Sequence, residues 1–482
     1  MVKIYDMKME LYWRLPVRVQ EAVLGAYAVY LDRCYYPRDY ESWLVRLGEQ
    51  QRWSDAEAKQ WQSQRLQFIV QLAASRVPYY RQEWRQLNWR SVGSAADLRV
   101  LPVLDKHAIR QNERNFVVEG LNLKKLWVEK TSGTTGTSLR IYWPRTMLPQ
   151  FWAMMELMVR NVAGVARELP RAMMGGRPIV RGSNARPPYW RFNRRWCQLY
   201  LSSYHVSPQT APLYVDALRI YGSKWITGYG SAIAALAESA LEAGLEPLPL
   251  RAVIPSGDTL LPGMRRSIEQ FFRCKCFDHY GQSEGVAMAM ECQFGRMHVL
   301  PMLGIIEILR EDGSPCRPGE VGEVVATSLM NEAMPLIRYR LGDYAAWAED
   351  KECPCGNSQP AIWKLEGRLD DYLLTSDGRK IGRLSTALKR SPAVHSAQIV
   401  QERPGYARLL IRPSNGYRKL DALAIRDDIL EKVGQIDLEI YEVPEIPKNL
   451  QGKSSLVVRL EDRPMMRATY QQLLEASAVR IA

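Results

Sequence analysis

The sequence has no apolar run long enough to cross a membrane, and it has too few cysteines for a disulfide scaffold. Near the amino terminus the longest apolar stretch, residues 22–31, is about half of the ~20 residues that a spanning helix needs. The segment MVKIYDMKMELYWRLP also lacks the apolar core of a secretory signal. Eight cysteines among 482 residues cannot replace a hydrophobic core. These absences predict a cytoplasmic protein.

Acidic residues are outnumbered, with 52 Asp and Glu against 65 Lys and Arg and a net charge of +13. This excess favours anionic partners such as nucleotides, coenzyme phosphates, nucleic acid or an anionic membrane. Arginine is concentrated in residues 165–196, a stretch with several prolines and glycines that we expect to be a loop. The stretch fits a solvated basic surface or a site for phosphates or a membrane. The sequence contains no nucleic-acid-binding motif, so nucleic acid is not expected as a partner.

No internal repeat or low-complexity tract is present, and hydrophobic residues make up 46% of the chain. Residues 1–120 have mostly helical patterns, including a helix that starts at Ser54-Asp55 and breaks at Pro78. Residues 121–345 alternate strand and helix patterns, which predicts α/β architecture. Residues 11–32 have helical spacing and predict an amphipathic helix, either packed on the core or lying on a membrane surface.

The carboxyl-terminal part has a different pattern. After Gly367 short strands dominate, and Asp377-Gly378 is a hairpin signal between two of them. The segments AQIVQER, ARLLIRP and LEIYEVP are also predicted strands, with one helix between them. This change predicts a separate α+β lobe.

A loop of small and hydroxyl-bearing residues lies between the predicted strands LWVEK and LRIYW. Glycines in such a loop let the backbone close around a polyphosphate, and amides and hydroxyls donate to its oxygens. The loop is not a Walker motif, because the Gly-Lys-Ser/Thr ending is absent. By itself the pattern also fits a polar hairpin turn. The loop reads Thr131-Ser132-Gly133-Thr134-Thr135-Gly136-Thr137.

Four further motifs follow the loop in the chain. Each is weak alone, but the five together and in this order are not expected by chance. They are His279-Tyr280-Gly281-Gln282-Ser283-Glu284-Gly285, Arg338-Tyr339-Arg340-Leu341-Gly342-Asp343, Gly367-Arg368-Leu369-Asp370-Asp371 and Pro447-Lys448-Asn449-Leu450-Gln451-Gly452-Lys453.

This set of motifs resembles the acyl-adenylate-forming superfamily of acyl-CoA synthetases, luciferases and peptide-synthetase adenylation domains. The phrases VPYYR and AMPLIRYRLGDY are similar to the phenylacetate–CoA ligase-like branch, which includes CapK-type members associated with capsular polysaccharide biosynthesis. The resemblance implies an α/β fold with a large adenylate-forming domain over residues 1–369. It also implies a small mobile α+β lobe over residues 370–482, with a hinge at Asp370.

The same resemblance implies that ATP and Mg²⁺ activate a carboxylic acid as an acyl-adenylate and that the acyl group then passes to an acceptor. CoA is the default acceptor. An amide or ester ligase acting on a sugar or amine is the alternative, and a degenerate non-catalytic scaffold is a minor one. The acid itself is not predicted.

Roles for the nucleotide-binding residues follow from the resemblance. The loop from Thr131 to Thr137 would surround the β- and γ-phosphates of ATP. Tyr280, followed by Gly281, would lie against the adenine, and Asp343 would accept the ribose hydroxyls. Relatives commonly carry a short Gly-containing phrase before the adenine pocket, and the match here is Ser256-Gly257-Asp258.

The residues nearest the reacting atoms are implied in the same way. Ser283 would hydrogen-bond the α-phosphate or the carboxylate, and Glu284 would hold Mg²⁺. Arg368 would contact phosphate or ribose, and Lys453 would neutralise charge at the α-phosphate and carboxylate. Two departures from relatives stand out. The loop continues with Thr137-Ser138 where Lys-Pro is common, and Ser283 replaces a threonine.

Three cysteines and a histidine form a candidate zinc site, with Cys292 and His298 separated by five residues and Cys353 and Cys355 by one. Thiolate and imidazole are the ligands that tetrahedral Zn²⁺ prefers. The spacing alone leaves open unrelated thiols and a surface histidine. The resemblance favours a structural zinc, because members of the branch carry a similar set. A second Cys-x-Cys pair, Cys274 and Cys276 in the predicted strand FRCKCFDHY, is expected to be core thiols.

Overall fold

The structure is a computed structural model of the chain. It describes residues 11–131, 139–175, 179–180, 186–350, 352–368, 373–376, 380–381, 384, 394–414, 416–433, 436–447, 455–461 and 466–481. Contacts divide the chain into two compact units. The first unit comprises Ala26–Arg167 and Phe277–Leu365, and the second comprises Met1–Gly25, Glu168–Cys276 and Glu366–Ala482.

The helices and strands are numbered here in chain order. The helices are α1 (Val17–Tyr35), α2 (Tyr40–Gln50), α3 (Asp55–Arg76), α4 (Pro78–Glu83), α5 (Lys106–Gln111), α6 (Met147–Met155), α7 (Ala211–Ile220), α8 (Gly230–Glu242), α9 (Pro262–Phe272), α10 (Lys419–Val433) and α11 (Arg467–Ser477). The strands are β1 (Trp127–Lys130), β2 (Arg140–Trp143), β3 (Arg171–Gly175), β4 (Trp190–Asn193), β5 (Gln198–Ser202), β6 (Trp225–Gly228), β7 (Ala252–Pro255), β8 (His279–Gly281), β9 (Met288–Glu291), β10 (Met297–Val299), β11 (Gly304–Leu309), β12 (Gly322–Ser328), β13 (Tyr339–Trp347), β14 (Ala361–Arg368), β15 (Leu373–Leu374), β16 (Lys380–Ile381), β17 (Val394–Arg403), β18 (Tyr406–Pro413), β19 (Asp437–Glu442), β20 (Val457–Arg459) and β21 (Val479–Arg480).

Helix α3 in the first unit begins and ends where local chemistry requires it. The Ser54 hydroxyl accepts from the backbone N–H of Glu57 at 3.3 Å, and the Glu57 carboxylate accepts from the backbone N–H of Ser54 at 2.8 Å. This reciprocal cap satisfies two amides that the first turn leaves without helical partners. Val77 is extended because Pro78 follows it, so α3 ends at Arg76. The predicted start and break are confirmed.

The strands of the first unit other than β1 and β2 form a seven-stranded sheet. Its strand order is β11-β12-β13-β14-β10-β9-β8. Strands β11 and β12 pair antiparallel as a hairpin from Gly304↔Ser328 to Leu309↔Glu323.

The second unit contains a five-stranded sheet of order β4-β5-β3-β6-β7, in which β5, β3, β6 and β7 run parallel. Helix α7 connects β5 to β6, and α8 connects β6 to β7. Parallel neighbours need such crossovers, so the predicted alternation of strands and helices is confirmed. Helix α8 ends at Glu242, and Gly244 follows it with a φ of +68°, as is common just after a helix.

A second five-stranded sheet in the same unit has the order β20-β17-β18-β19-β21. The strands predicted from AQIVQER, ARLLIRP and LEIYEVP are β17, β18 and β19, and α10 is the predicted helix between them. Strands β15 and β16 pair antiparallel, although Asp377 and Gly378 between them lie outside the described residues. The division of the chain at Asp370 stays a prediction, because Asp370 also lies outside the described residues.

The expectation of a loop over residues 165–196 is wrong where β3 and β4 run through it. Arg171 in β3 is buried, and its Nε donates to Gln198 Oε1 at 2.8 Å. Arg191 in β4 is also buried, and its Nε donates to Gln20 Oε1 at 2.7 Å. Because these two guanidinium groups satisfy buried oxygens, they are internal donors rather than part of a basic surface.

The strand expected over FRCKCFDHY is shorter than predicted, since β8 begins only at His279. Cys276 makes an isolated bridge to Val253, and Cys274 belongs to no strand. Cys276 is buried in the core of the second unit and Cys274 packs against that core, as expected for core thiols. Separately, no helix in the described part of the chain combines the length and apolarity needed to cross a membrane.

Candidate functional site

Tyr280 and Asp343, for which the resemblance predicts contacts with adenine and ribose, contact each other in the first unit. The Tyr280 hydroxyl donates to Asp343 Oδ2 at 2.7 Å, and each residue is 8% exposed. Tyr280 lies in β8 and Asp343 in β13, so two distant motifs of the sequence converge here. The hydrogen bond fixes the orientation of the carboxylate.

Glu284, the predicted magnesium ligand, is buried and paired. The Tyr339 hydroxyl donates to Glu284 Oε1 at 3.1 Å, and Lys106 Nζ lies 3.6 Å from the same oxygen. Burial, reinforced by the charge of Glu284, raises the pKa of Tyr339, so its hydroxyl stays protonated and can donate. A buried carboxylate needs partners of this kind.

Sequence reasoning missed both partners of Glu284. Tyr339 stands inside a recognisable motif, but the motif indicates no role for its hydroxyl. Lys106 opens α5, where the Asp105 carboxylate caps the helix by accepting from the His107 N–H at 2.7 Å. An Asp-Lys helix start is a common pattern, so nothing in it signals a site.

The turn after Glu284 is held by a close approach between Gly285 and Trp143. Gly285 has a φ of +64°, a conformation that residues with a side chain rarely adopt. A Cβ atom there would lie 2.5 Å from Trp143 Cζ2. Ser283 on the other side of Glu284 is exposed and Gly281 is half-buried, so the residue predicted to contact phosphate lies at the surface.

Thr131 closes the base of the predicted phosphate loop. Its backbone N–H donates to the Leu139 carbonyl at 3.0 Å, and its hydroxyl accepts from the Leu139 N–H at 3.0 Å. Below it β1 and β2 pair antiparallel. The remaining loop residues, Ser132, Gly133, Thr134, Thr135, Gly136 and Thr137, lie outside the described residues.

Arg338 is a structural residue of its motif. Its guanidinium contacts Glu307 at 3.0 Å and donates to the Leu101 carbonyl at 2.6 Å. Its own φ is +48°, so this contact holds the backbone in an uncommon conformation just before β13. The arginine is therefore a cross-link that supports the strand carrying Asp343.

The Ser256-Gly257-Asp258 phrase lies in the second unit, where Asp258 caps a helix. Its carboxylate accepts from the Gly230 N–H at 2.7 Å and from the Ser231 hydroxyl at 2.5 Å. These contacts satisfy donors at the start of α8, where a negative charge is favoured. Gly257 has a φ of +83°, which the turn between β7 and Asp258 requires. A nucleotide role for this phrase stays a prediction.

Two predicted residues of the carboxyl-terminal region are not described at the level of side chains. Arg368 is the last residue of β14, and its backbone alone is described. Lys453 lies outside the described residues.

Cys292, His298, Cys353 and Cys355 form one cluster in the first unit, with all four ligand atoms within 4.8 Å of one another. The Cys292 and Cys353 sulfurs are 3.7 Å apart, and Cys355 Sγ lies 3.4 Å from His298 Nε2. Two elements bring them together. The β9–β10 hairpin carries Cys292 and His298, and the chain leading into β14 carries the other two cysteines.

Hydrogen bonds orient these side chains. His298 Nδ1 lies 2.9 Å from the Gln359 carbonyl, an acceptor, so this nitrogen carries the proton and Nε2 faces the thiols. Burial lowers the pKa of His298, which keeps the ring neutral. Backbone N–H groups donate to the sulfurs of Cys292 and Cys355, each at 3.4 Å. A cavity of ≈ 410 Å³ in the same unit is lined in part by Cys292, His298 and Cys355.

The chain is similar in sequence to several known proteins. No protein-family model matches the sequence. Protein CapK of Staphylococcus aureus is 27% identical over 302 residues, which cover 61% of this chain and 65% of CapK, slightly less than two thirds of its length. A phenylacetate–coenzyme A ligase of Pseudomonas putida is 26% identical over 332 residues, 66% of this chain and 72% of that enzyme. The predicted resemblance is confirmed.

Solved structures agree in fold. A 2-hydroxyisobutyryl-CoA ligase in the postadenylation state, in complex with R3-HIB-AMP, superposes with a TM-score of 0.64 at 20% identity, covering 88% of this chain and 93% of that chain. The same ligase with 2-HIB-AMP and CoA in the thioesterification state gives a TM-score of 0.51 at 21% identity with the same coverage. The predicted α/β fold is confirmed.

Proposed function

We propose that this chain, which is similar in sequence to CapK and the phenylacetate–CoA ligases and has the fold of an acyl-adenylate-forming ligase, activates a carboxylic acid with ATP and transfers the acyl group to CoA. One observation carries the proposal. Tyr280 and Glu284, four positions apart, each bond to a residue of β13, namely Asp343 and Tyr339. Groups suited to adenine, ribose and a phosphate-bound cation thus converge on one strand.

Each group has a task in that reaction. Tyr280 offers a ring face for adenine, and its hydroxyl orients the Asp343 carboxylate toward the ribose. Glu284 has the oxygen ligands that Mg²⁺ prefers, and the cation would neutralise phosphate charge when bound. Lys106, beside Glu284, supplies a second positive charge to a phosphate loop that has no lysine of its own.

The carboxylate and ATP repel each other, so the reaction needs cations close to both. Lys453 would approach the α-phosphate and the attacking carboxylate, and Ser283 and Arg368 would donate to phosphate or ribose oxygens. Such preorganised donors stabilise charge that develops in the transition state. The phosphate loop from Thr131 to Thr137 would hold the leaving pyrophosphate.

Pyrophosphate exchange into ATP tests the first half-reaction. A panel of aryl, fatty, hydroxy and amino acids should contain an acid that supports exchange. With that acid, addition of CoA should lead the enzyme to consume ATP and form a thioester. Exchange that is lost in Glu284→Gln would support the site. Absence of exchange with every class of acid, in protein that binds ATP, would contradict the proposal.

The acceptor is a second question, and the likeness to CapK favours an alternative to CoA. An amide or ester ligase would use the same adenylate and pass it to an amine or sugar hydroxyl. With the active acid identified, product analysis in the presence of CoA, amines and sugars distinguishes the two. Faster acyl transfer to an amine or sugar than to CoA would favour the alternative.

We also propose that Cys292, His298, Cys353 and Cys355 hold one structural Zn²⁺. Zn–S bonds of about 2.3 Å in a tetrahedron place two sulfurs ~3.8 Å apart, close to the Cys292–Cys353 separation. The N–H···S bonds suit thiolates, and the His298 nitrogen facing the thiols is the one without a proton. Four protein ligands leave no position for a substrate. A cytoplasmic location for the enzyme stays a prediction.

A further inference from the structure

Helix α1 presents an apolar face to solvent. The exposed fractions of Val19, Val23, Tyr27 and Tyr30 are 42%, 45%, 46% and 43%. Spacings of four, four and three residues put these side chains on one face of the helix. An ordinary surface helix turns its apolar stripe toward the core and keeps polar residues outside.

The opposite side of the same helix packs against the rest of the chain. Ala28 and Leu31 are buried, and the Glu21 carboxylate accepts from the Phe192 N–H at 2.9 Å. These buried contacts do not involve the outer valines and tyrosines. Exposed apolar side chains in a continuous row usually mark an interaction surface.

Basic residues flank this apolar row. The exposed positions of the helix from residue 18 to residue 33 include an arginine at each end and no acidic residue. These positions, called the α1 face below, are Arg18, Val19, Ala22, Val23, Ala26, Tyr27, Val29, Tyr30 and Arg33.

A second group of cations lies beside the carboxyl-terminal part of the face, in the first unit. The Arg145 guanidinium contacts the Tyr30 hydroxyl at 3.3 Å and donates to the Lys125 carbonyl at 3.1 Å. Arg145, Lys124 and Lys125 are all exposed. The tyrosine end of the face is therefore the more basic end.

We propose that the α1 face binds the surface of an anionic lipid bilayer, with the helix lying along the membrane plane. A helix with an apolar face and basic residues around it inserts that face at the boundary of headgroups and acyl chains. Tyrosine rings favour the headgroup level, and arginines pair with lipid phosphates.

A bilayer supplies an apolar layer and a continuous anionic surface together, which matches a face that is apolar along its length and basic at both ends. The net charge of +13 adds a longer-range attraction of the same sign. None of the residues of the α1 face is among those proposed to bind ATP, so the inference does not depend on the proposed reaction.

Co-sedimentation of the full chain with lipid vesicles tests the inference. The chain should bind phosphatidylcholine vesicles that contain phosphatidylglycerol, bind pure phosphatidylcholine weakly, and lose binding as salt rises. Val23→Asp and Tyr27→Asp should each reduce the partition into phosphatidylglycerol vesicles on the order of tenfold, because a charge replaces an inserted group. Arg33→Gln should reduce it several-fold.

Ile220→Asp is the matched control, since Ile220 at the end of α7 is 77% exposed and is not part of the α1 face. It should bind vesicles like the unaltered chain. All variants should have the melting temperature of the unaltered chain. If Val23→Asp fails to fold, Tyr27→Asp or Arg33→Gln serves as the test variant instead.

Three results would overturn the inference. The first is equal vesicle binding by Val23→Asp, Tyr27→Asp and Ile220→Asp, and the second is no binding by the unaltered chain at low salt. The third is salt-independent self-association, seen by light scattering and abolished by Val23→Asp, which would assign the face to a second copy of the chain.

Discussion

At the scale of residues, the contacts of Glu284 best distinguish a chemical site from ordinary packing. A carboxylate that is 7% exposed loses most of its hydration, and that loss is costly unless charge or hydrogen bonds replace it. A hydroxyl and an ammonium group supply the replacement, from Tyr339 and Lys106. Lys106 is itself 33% exposed at its side chain, so it can reach both the acid and a ligand in solvent.

Replacement of Lys106 should affect ATP binding. Lys106→Ala is expected to raise KM for ATP or lower kcat on the order of tenfold in pyrophosphate exchange, as for loss of one charged contact. Lys106→Arg should retain most activity because it keeps the charge. The matched control is Lys59→Ala, which removes an exposed pair with Asp55 and should change nothing measurable. Equal behaviour of Lys106→Ala and Lys59→Ala would contradict the role.

Replacement of Lys453 should affect the chemical step. Lys453→Ala is expected to lower adenylation on the order of 10²–10³-fold, the effect of removing one charge contact from a transition state. Pyrophosphate exchange with the active acid measures it. Lys419→Ala, at the start of α10, is a control with an exposed lysine of the same unit. Near-normal exchange by Lys453→Ala would rule out the proposed contact.

At the scale of elements, the cysteine and histidine cluster joins parts of the sheet that are far apart in the chain. Cys292 and Cys353 are 61 positions apart, yet β10 pairs with β14 through His298↔Ala361. The pairing brings the hairpin that carries His298 next to the chain that carries the cysteines. A metal at this point would hold the edge half of the sheet, including β8 and its Tyr280, against β14.

Loss of one ligand should therefore reduce both metal content and stability. Cys353→Ser is expected to bring the zinc content from about one per chain toward zero and to lower the melting temperature. Elemental analysis and thermal unfolding on the same preparation measure the two effects. Cys197→Ser is the control, because Cys197 is exposed and lies outside the cluster.

A chelator should have the same effect on the unaltered protein, since the neighbouring cavity offers access to three of the four ligands. Metal-free protein with unchanged melting temperature and full activity would contradict the zinc proposal. Zinc that is retained in Cys353→Ser would exclude that residue as a ligand.

At the scale of the whole molecule, the second unit is assembled from three separate stretches of chain. Side chains of the two five-stranded sheets, such as Leu199 in one and Ile399 in the other, belong to one buried cluster. Local patterns predict the strands of each sheet, but they carry no information about which buried faces meet. Long-range packing therefore decides which stretches of the chain form this unit.

The proposed hinge can be tested through the two half-reactions. Proline at position 370 would fix φ near roughly −65° and restrict the backbone where the small lobe is expected to turn. Asp370→Pro should retain pyrophosphate exchange and lose acyl transfer, because only the second step needs the turn. Asp370→Ala should retain both. Unimpaired transfer by Asp370→Pro would place the hinge elsewhere, and equal loss of both steps would indicate misfolding or a single pose.

Much of the fold could be predicted, because caps, breaks and strand patterns are local. Ser54 marks the start of α3 and Pro78 marks its end, and both residues can be recognised directly in the sequence. The site was predicted in part. Tyr280, Glu284 and Asp343 stand in recognisable motifs, and the structure brings Tyr280 and Asp343 together. Lys106 could not be found, since its role depends on a spatial contact with a residue 178 positions later.

Gly285 and Trp143 show how one contact can limit sequence variation. The indole ring occupies the space that any side chain at position 285 would need, and the backbone there is already in a left-handed conformation. A substitution at position 285 therefore requires a second substitution at position 143. Homologues in which it is not glycine should carry a smaller residue at position 143, so the two positions should covary across the lineage. A mutant library that randomises only position 285 should recover little besides glycine.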